Sequence, residues 1–292
     1  MNTNHMLKRT TIGIIGYGFV GKALHNGLAK KIPDLRFKIF DVKGMVGAPD
    51  NLFDVATYSD YIFVCVPTPT NFSTLKQDLS IVRKVVRDIV PFTNDTNKVI
   101  VIKTTTLPGT THDLAIEHPY SQFVFNPEFL TEAHFMEDFL NQTRIVLGGY
   151  EGARERVRRL YFKGWPKAEY YLVSHTEAEL IKYGANCCMA VKVAFFNEIN
   201  EICERMGANF DQVRRGIVSD KRIGPSHSAV PGPDGLKGFG GKCFPKDLLA
   251  LIGEARDELM LNLHVMPGAW ETNIDVREHN DWEDIEGATS TK

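Results

Sequence analysis

The stretch "TIGIIGYGFVGKAL", residues 11–24, joins an apolar β-type run to a helical pattern through Gly16, Gly18 and Gly21. This is G-x-G-x-x-G between a strand and a helix, the context that the dinucleotide fingerprint requires. The first glycine allows the tight turn, the second lets backbone approach a pyrophosphate, and the third lets helix and strand pack closely. The helix start then offers unpaired N–H groups to the phosphates. Asp41 closes the next apolar run, "FKIFD", where a carboxylate would meet the adenosine ribose hydroxyls. A carboxylate there favours NAD over NADP, with Lys43 nearby as a weak counter-argument. The competing reading is a tight turn with no ligand, and the strand, helix and Asp41 together argue against it.

Outward from that turn, short β-rich runs alternate with helical patterns through residue 174. The runs are Thr11–Gly16, Phe37–Val42, Tyr61–Pro67, Lys98–Thr105, Phe123–Asn126, Arg144–Gly149 and Glu169–Val173. Several are continuously apolar, such as "YIFVCVP" and "KVIVIK", as suits strands of a parallel sheet buried on both faces. The pattern predicts an α/β class with a Rossmann-type doubly wound sheet over residues 1–174. From 175 to 292 it predicts an all-helical domain. Its long helix begins at a capping box, Ser174 with Glu177 or Thr176 with Glu179, and ends at Gly207. A second helix is expected near Asp211–Ile217, a third from Pro245, and another within "GAWETNIDVREHND". The polar end, "EDIEGATSTK", is expected to fray.

Composition narrows the class. A net charge of −2 over 292 residues argues against a general nucleic-acid or membrane-surface binder, which needs a basic surplus. No run approaches the length of a membrane span. The five cysteines are odd in number and without zinc-type spacing, so reduced thiols in the cytoplasm and no metal are expected.

Four segments carry candidate chemistry. "KTTTLPGT" ends the fourth strand at the carboxyl edge, where Thr104, Thr105 and Thr106 offer hydroxyls; the alternative is a β-branched strand running into a helix. "NPEFLTEA" puts Glu128 at the same edge and Glu132 beyond it, although carboxylates also suit an ordinary helix start. In "ELIKYGAN", Lys182 and Asn186 share a helix face at i and i+4, able to polarise an oxygen or simply to sit at the surface. In "GFGGKCFPKD", residues 238–247, Pro245 suits a first helical turn. Cys243 then precedes a helix whose N-terminus, with Lys242 and Lys246, favours a thiolate, while Asp247 opposes it in part. The alternative is a buried structural cysteine.

Taken together, the chain resembles the UDP-glucose/GDP-mannose dehydrogenases. The resemblance rests on "GIIGYGFVG", "VCVPTPT", "KTTTLPGT", "NPEFLTEA", "ELIKYGAN", "FFNEINEICERMGANFDQV", "DKRIGPS" and "GGKCFPKDLLAL", in the family's order over residues 11 to about 275. It implies NAD-dependent, two-step oxidation of a sugar-nucleotide alcohol to the uronic acid, as in UDP-glucose 6-dehydrogenases. It implies Cys243 as nucleophile, Lys182 and Asn186 as oxyanion donors, and Asp247 as a residue positioning water. Glu128 would serve thioester hydrolysis and contact substrate with Lys182, and Thr105 would orient that water. Gly16, Gly18, Gly21, Asp41, Thr105, Glu132 and Lys246 match cofactor-contacting positions. Arg222 matches a substrate arginine that reaches over from a neighbouring subunit, which implies a homodimer binding a UDP-sugar or related sugar nucleotide.

Departures are Ala133 where glycine is common, "TLPG" for "VPPG", and the short sequence after Asp247. That last feature leads to the expectation that the family's second nucleotide-binding domain is absent. Two other functions stay open: a β-hydroxyacid-type dehydrogenase with one hydride step, and a degenerate NAD-binding regulatory protein.

Overall fold

The computed structural model describes residues 9–44, 47–94, 97–131 and 134–290. By contacts the chain divides into two units, Met1–Pro67 with Leu79–Lys182, and Thr68–Asp78 with Tyr183–Lys292.

In the first unit the strands are β1 (Thr11–Ile15), β2 (Arg36–Phe40), β3 (Tyr61–Val64), β6 (Val99–Ile102), β7 (Gln122–Phe125), β8 (Arg144–Gly149) and β9 (Glu169–Val173). They form one sheet in the order β2-β1-β3-β6-β7-β8-β9. Between them run α1 (Phe19–Lys31), α2 (Leu52–Tyr58), α3 (Ser80–Ile89), α4 (Thr110–Glu117), α5 (Phe135–Leu140) and α6 (Glu151–Phe162). All seven expected strands form. The alternation of β side chains builds two cores. Phe63, Val99 and Val101 join Leu24, Leu28, Phe139 and Leu160 on one face. Ile62, Ile100 and Ile102 join Val55, Val82, Val86 and Leu114 on the other. β2 and β3 flank β1 on opposite sides, so the chain reverses its direction of growth there and opens a crevice at the carboxyl ends.

One departure from a purely parallel sheet is β8, which pairs antiparallel with β7. A parallel return needs a crossover of a dozen or more residues, usually a full helix. The six-residue α5 is too short to carry the chain back, so β8 starts at the edge where β7 ends.

The second unit is helical except for a hairpin of β4 (Thr70–Asn71) and β5 (Lys76–Gln77). It holds α8 (Phe210–Val218), α9 (Phe244–Asp257), α10 (Val265–Val276) and all of α7 (His175–Met206) beyond Lys182. The Ser174–Glu177 capping box starts α7: Glu177 accepts the Ser174 amide at 2.7 Å and donates its own to the Ser174 hydroxyl at 3.3 Å. Cys187, Ala190, Phe239 and Leu248 form the small core of this unit.

The expected fraying of "EDIEGATSTK" is corrected here over residues 283–290; Thr291 and Lys292 lie outside the described residues. Trp282 and Ala288 are buried, the Thr70 amide donates to the Ala288 carbonyl, and Ser290 donates back to Thr70 at 3.0 Å. The polar residues of this segment lie on its outside, and a few apolar ones anchor it. Trp282 packs against Trp270 and Phe72 at ring separations of 5.4 and 6.3 Å. Trp282→Ala should therefore destabilise the chain by about 3–5 kcal/mol, the cost of a large core truncation, read as a drop in the denaturant midpoint.

Candidate active site

The first unit holds the dinucleotide turn. Gly16 has φ +93°, and a Cβ there would lie 2.6 Å from the Cys65 carbonyl oxygen. A Cβ on Gly21 would lie 2.1 Å from the Gly16 carbonyl oxygen, so helix and turn touch backbone to backbone. In front of Gly18 there is open space, and Gly18 caps α1 with no side-chain hydrogen bond. At the end of β2, Asp41 accepts the Tyr17 amide at 2.7 Å and the Lys43 amide at 2.9 Å, one on each oxygen. Open space, uncapped helix amides and an oriented carboxylate fit NAD: its pyrophosphate would lie against the Gly16–Gly18 turn, with Gly21 letting α1 pack close to that turn, and its ribose would meet Asp41.

Further along the same sheet edge, β6 and β7 deliver a polar cluster. Glu128 Oε1 accepts Lys182 Nζ at 3.0 Å, and Oε2 accepts the Leu130 amide at 2.7 Å. The pair is almost fully buried, with side chains 3% and 6% exposed. Phe129 lies beneath two cations, Arg144 at 3.9 Å and Lys182 at 5.5 Å from its ring centre. Glu128, Phe129, Thr131 and Arg144 line a cavity of about 460 Å³.

Lys103 also lines that cavity, although the sequence reading passed over it. Its amine donates to the Asn126 carbonyl at 3.2 Å, Asn126 Oδ1 at 3.1 Å and the Pro127 carbonyl at 3.4 Å. Burial pushes the amine down to about 8. The available signal was a lysine closing an all-apolar strand, "VIVIK", a place where an unpartnered charge is costly.

Glu179 was expected as one possible cap of α7 and does something else. Its buried carboxylate accepts Thr106 Oγ1 at 3.0 Å, the Gly109 amide at 2.7 Å, and the Thr111 amide and hydroxyl at 2.9 and 2.7 Å. Together these fix the loop from β6 to α4, which carries Thr105. Thr104 turns inward, donating to the Val64 and Val66 carbonyls at 3.1 and 2.8 Å. Thr105 is half-buried on that loop. Glu132 lies outside the described residues.

In the second unit, Cys243 is the N-cap residue of α9, half-buried, with Pro245 in the first turn. Its carbonyl accepts the Asp247 amide at 2.9 Å, one turn into the helix. Asp247 is 1% exposed. One of its oxygens accepts Asn186 Nδ2 at 2.6 Å and the other takes the Lys246 amine. Lys246 is thus turned inward, and its carbonyl accepts the Thr70 hydroxyl at 3.3 Å. Arg222 is exposed and forked onto Asp220, the closest approach being 2.5 Å. Among the described residues, no group of His, Cys, Asp and Glu could hold a metal ion.

The structure therefore brings together Glu128 with Lys182 in one unit, and Asn186 with Lys246 and Asp247 in the other. Arg222 joins neither cluster.

Two models of one family match the chain. The UDP-glucose/GDP-mannose dehydrogenase family's NAD binding domain matches residues 49–164, and its central domain matches 176–274. A UDP-glucose 6-dehydrogenase of Rhizobium meliloti is 37% identical over 228 residues, covering 73% of this chain and 50% of that protein. One from Rickettsia bellii is 38% identical, covering 66% of this chain and 44% of that protein. The chain thus spans about half the length of the curated relatives it matches. Among solved structures, a UDP-glucose dehydrogenase of Pyrobaculum islandicum superposes with a TM-score of 0.80 at 25% identity, over 94% of this chain and 70% of that one. A 3-hydroxyisobutyrate dehydrogenase of Mycobacterium tuberculosis gives 0.71 over 96% of this chain and 97% of that one, and at 14% identity it shares the fold alone.

Burial raises the Glu179 carboxyl from 4.5 to about 7 against its four donated hydrogen bonds. Its folded value lies above the unfolded one, so the folded state keeps a proton that the unfolded state releases. Stability should fall as pH rises from about 4.5 to about 7, and Glu179→Gln should flatten that slope in melts taken across the range.

Proposed function

The chain belongs to the UDP-glucose/GDP-mannose dehydrogenase family, and from that membership we propose that it oxidises a sugar-nucleotide primary alcohol to the carboxylate in two steps. The observation that carries the proposal is the buried polar set at the head of α9. Cys243 caps the helix, and one turn on Asp247 is held by Asn186 and Lys246 in a core that gains nothing from charge.

Two NAD molecules, bound in turn, would each accept one hydride, the first from the alcohol carbon as its hydroxyl proton passes to solvent and the second from the thiohemiacetal carbon. The chain's own groups do the rest. The Cys243 thiolate adds to the aldehyde carbon, which leaves an alkoxide on the former carbonyl oxygen. Lys182 and Asn186 carry the donors suited to that charge. Loss of hydride from the same carbon gives a thioester. Water then attacks it, with Glu128 as the base that takes the proton, Thr105 orienting the water and Asp247 positioning it. The thioester C–S bond breaks, which releases the acid and returns Cys243. Of the remaining candidates, Glu132 and Lys246 would serve the cofactor and Arg222 the sugar nucleotide.

A UDP-sugar is the substrate class proposed, acted on in the cytoplasm by a homodimer. Support for the dimer comes from α8, none of whose residues is buried, and from Phe195, Ile202 and Met206 of α7, exposed at 48%, 51% and 78%. Support for a reducing compartment is the odd number of cysteines, five, with no zinc-type or paired spacing.

The test follows NADH and product together with UDP-glucose, GDP-mannose and unmodified sugars. The expected result is two NADH per acid formed, with Cys243→Ser forming no acid. Asn186→Ala should lower kcat by about 10²–10³, the usual cost of one oxyanion donor. One NADH per substrate, with Cys243→Ser unaffected, would replace the proposal with a single-hydride dehydrogenase.

A further inference from the structure

We propose that Arg277 and Asp281 are positioning residues for Cys243, acting through the glycine-rich loop that leads to it. The proposal rests on the reading of Cys243 as nucleophile and adds what holds that nucleophile in place.

The loop from Gly238 to Lys242 packs few side chains of its own, so its peptides must be oriented by polar contacts. α10 and the segment after it supply these. Asn273 accepts the Phe239 amide at 2.6 Å and returns a bond to the Phe239 carbonyl at 3.0 Å. Arg277 donates to the Lys237 carbonyl at 3.2 Å. Asp281 splits its carboxylate: one oxygen accepts Arg277 at 2.9 Å, and the other accepts the Gly241 amide, two residues before Cys243, also at 2.9 Å. The same Arg277 Nη2 that meets Asp281 also donates to Asp234 at 2.7 Å. The fit is close enough to require glycine, since a Cβ on Gly240 would lie 2.1 Å from the Arg277 guanidinium and 2.3 Å from Asp281.

An apolar plug would fill the same space, but it would not set the direction of a peptide N–H. The Arg277 side chain is 0% exposed. Burying a guanidinium is costly unless its partners are well aimed, and here two of its contacts, the Lys237 carbonyl and Asp281, lead directly to the loop. Asp281 ties that buried cation to the backbone next to the thiol. The arrangement fixes where Cys243 stands at the head of α9, whichever sugar is presented to it.

The test reads the thiol directly and needs no turnover. The full chain is treated with iodoacetamide, and alkylation of each cysteine is followed by peptide mass spectrometry. Cys187 and Cys203, 1% and 4% exposed, report general loosening, and exposed Cys188 reports reagent activity. Asp281→Ala and Arg277→Met should each raise the Cys243 rate at least about fivefold, as expected for a loop released from local restraint, with Cys187 and Cys203 unchanged. The control Asp284→Asn, in the same segment but outside the clamp, should leave Cys243 unchanged. Equal rates at Cys243 in folded variants, or a parallel rise at Cys187 and Cys203, would overturn the proposal. Should neither variant fold, hydrogen exchange on the unaltered chain decides it: protection of the 238–243 peptide comparable to α9 supports the clamp, and rapid exchange refutes it. Failure of the proposed reaction would appear separately, as absence of NADH from the unaltered chain.

Discussion

The cost of burying charge governs this molecule. Lys103, Glu128 and Lys182 in the first unit, and Lys246, Asp247 and Arg277 in the second, are all less than a tenth exposed. An ion moved into such surroundings costs several kcal/mol, and only a well-aimed partner offsets it. Each has one: Glu128 has Lys182, Lys103 has the Asn126 and Pro127 oxygens, Asp247 has Asn186 and Lys246, and Arg277 has Asp234 and Asp281. Apolar residues of similar volume would often serve stability as well or better. Six buried ionisable side chains, five of them in ion pairs and Lys103 on neutral oxygens, are thus more than stability alone calls for.

The secondary structure makes these pairings affordable by where it ends. β6 and β7 stop at the carboxyl edge of the sheet, so Lys103 and Asn126–Glu128 emerge beside each other without long loops. The β1–α1 turn opens at the same edge, two strands away. α9 begins at Cys243, which puts the thiol at the positive end of a helix macrodipole and Asp247 within its first turns. The glycines matter only where backbone must meet backbone or a buried ion, as at Gly21 and Gly240.

Much of this was legible in the sequence, for reasons that also explain the gaps. Strands buried on both faces leave continuous apolar runs, so all seven could be placed. The apolar pattern carries no direction, so the antiparallel β8 was visible only in the shortness of α5. Glu128, Lys182, Asn186 and Asp247 stood out in their local segments and took their roles from the resemblance; that Glu128 meets Lys182 and Asn186 meets Asp247 depends on contacts 54 and 61 residues apart that no local pattern encodes. Lys103 sat next to three threonines that drew attention to their hydroxyls. The end of the chain looked polar because its anchors, Trp282 and Ala288, are spaced among charges, and because its backbone partner Thr70 is far away in sequence.

The Glu128 pairing bears on the order of the proposed steps. Both of its oxygens are engaged, one by Lys182 and one by the Leu130 amide. Charge-assisted bonds of this kind are short and directional, so the two contacts together fix the orientation of the carboxylate. In the proposed reaction Lys182 is shared between Glu128 and a substrate oxyanion, since both acceptors compete for the same ammonium. That competition lasts only while the thiohemiacetal carries its alkoxide: loss of hydride removes the charge, and Lys182 would return to Glu128 before water attacks the thioester. Under the proposal, one ion pair therefore holds both the oxyanion donor and the hydrolytic base.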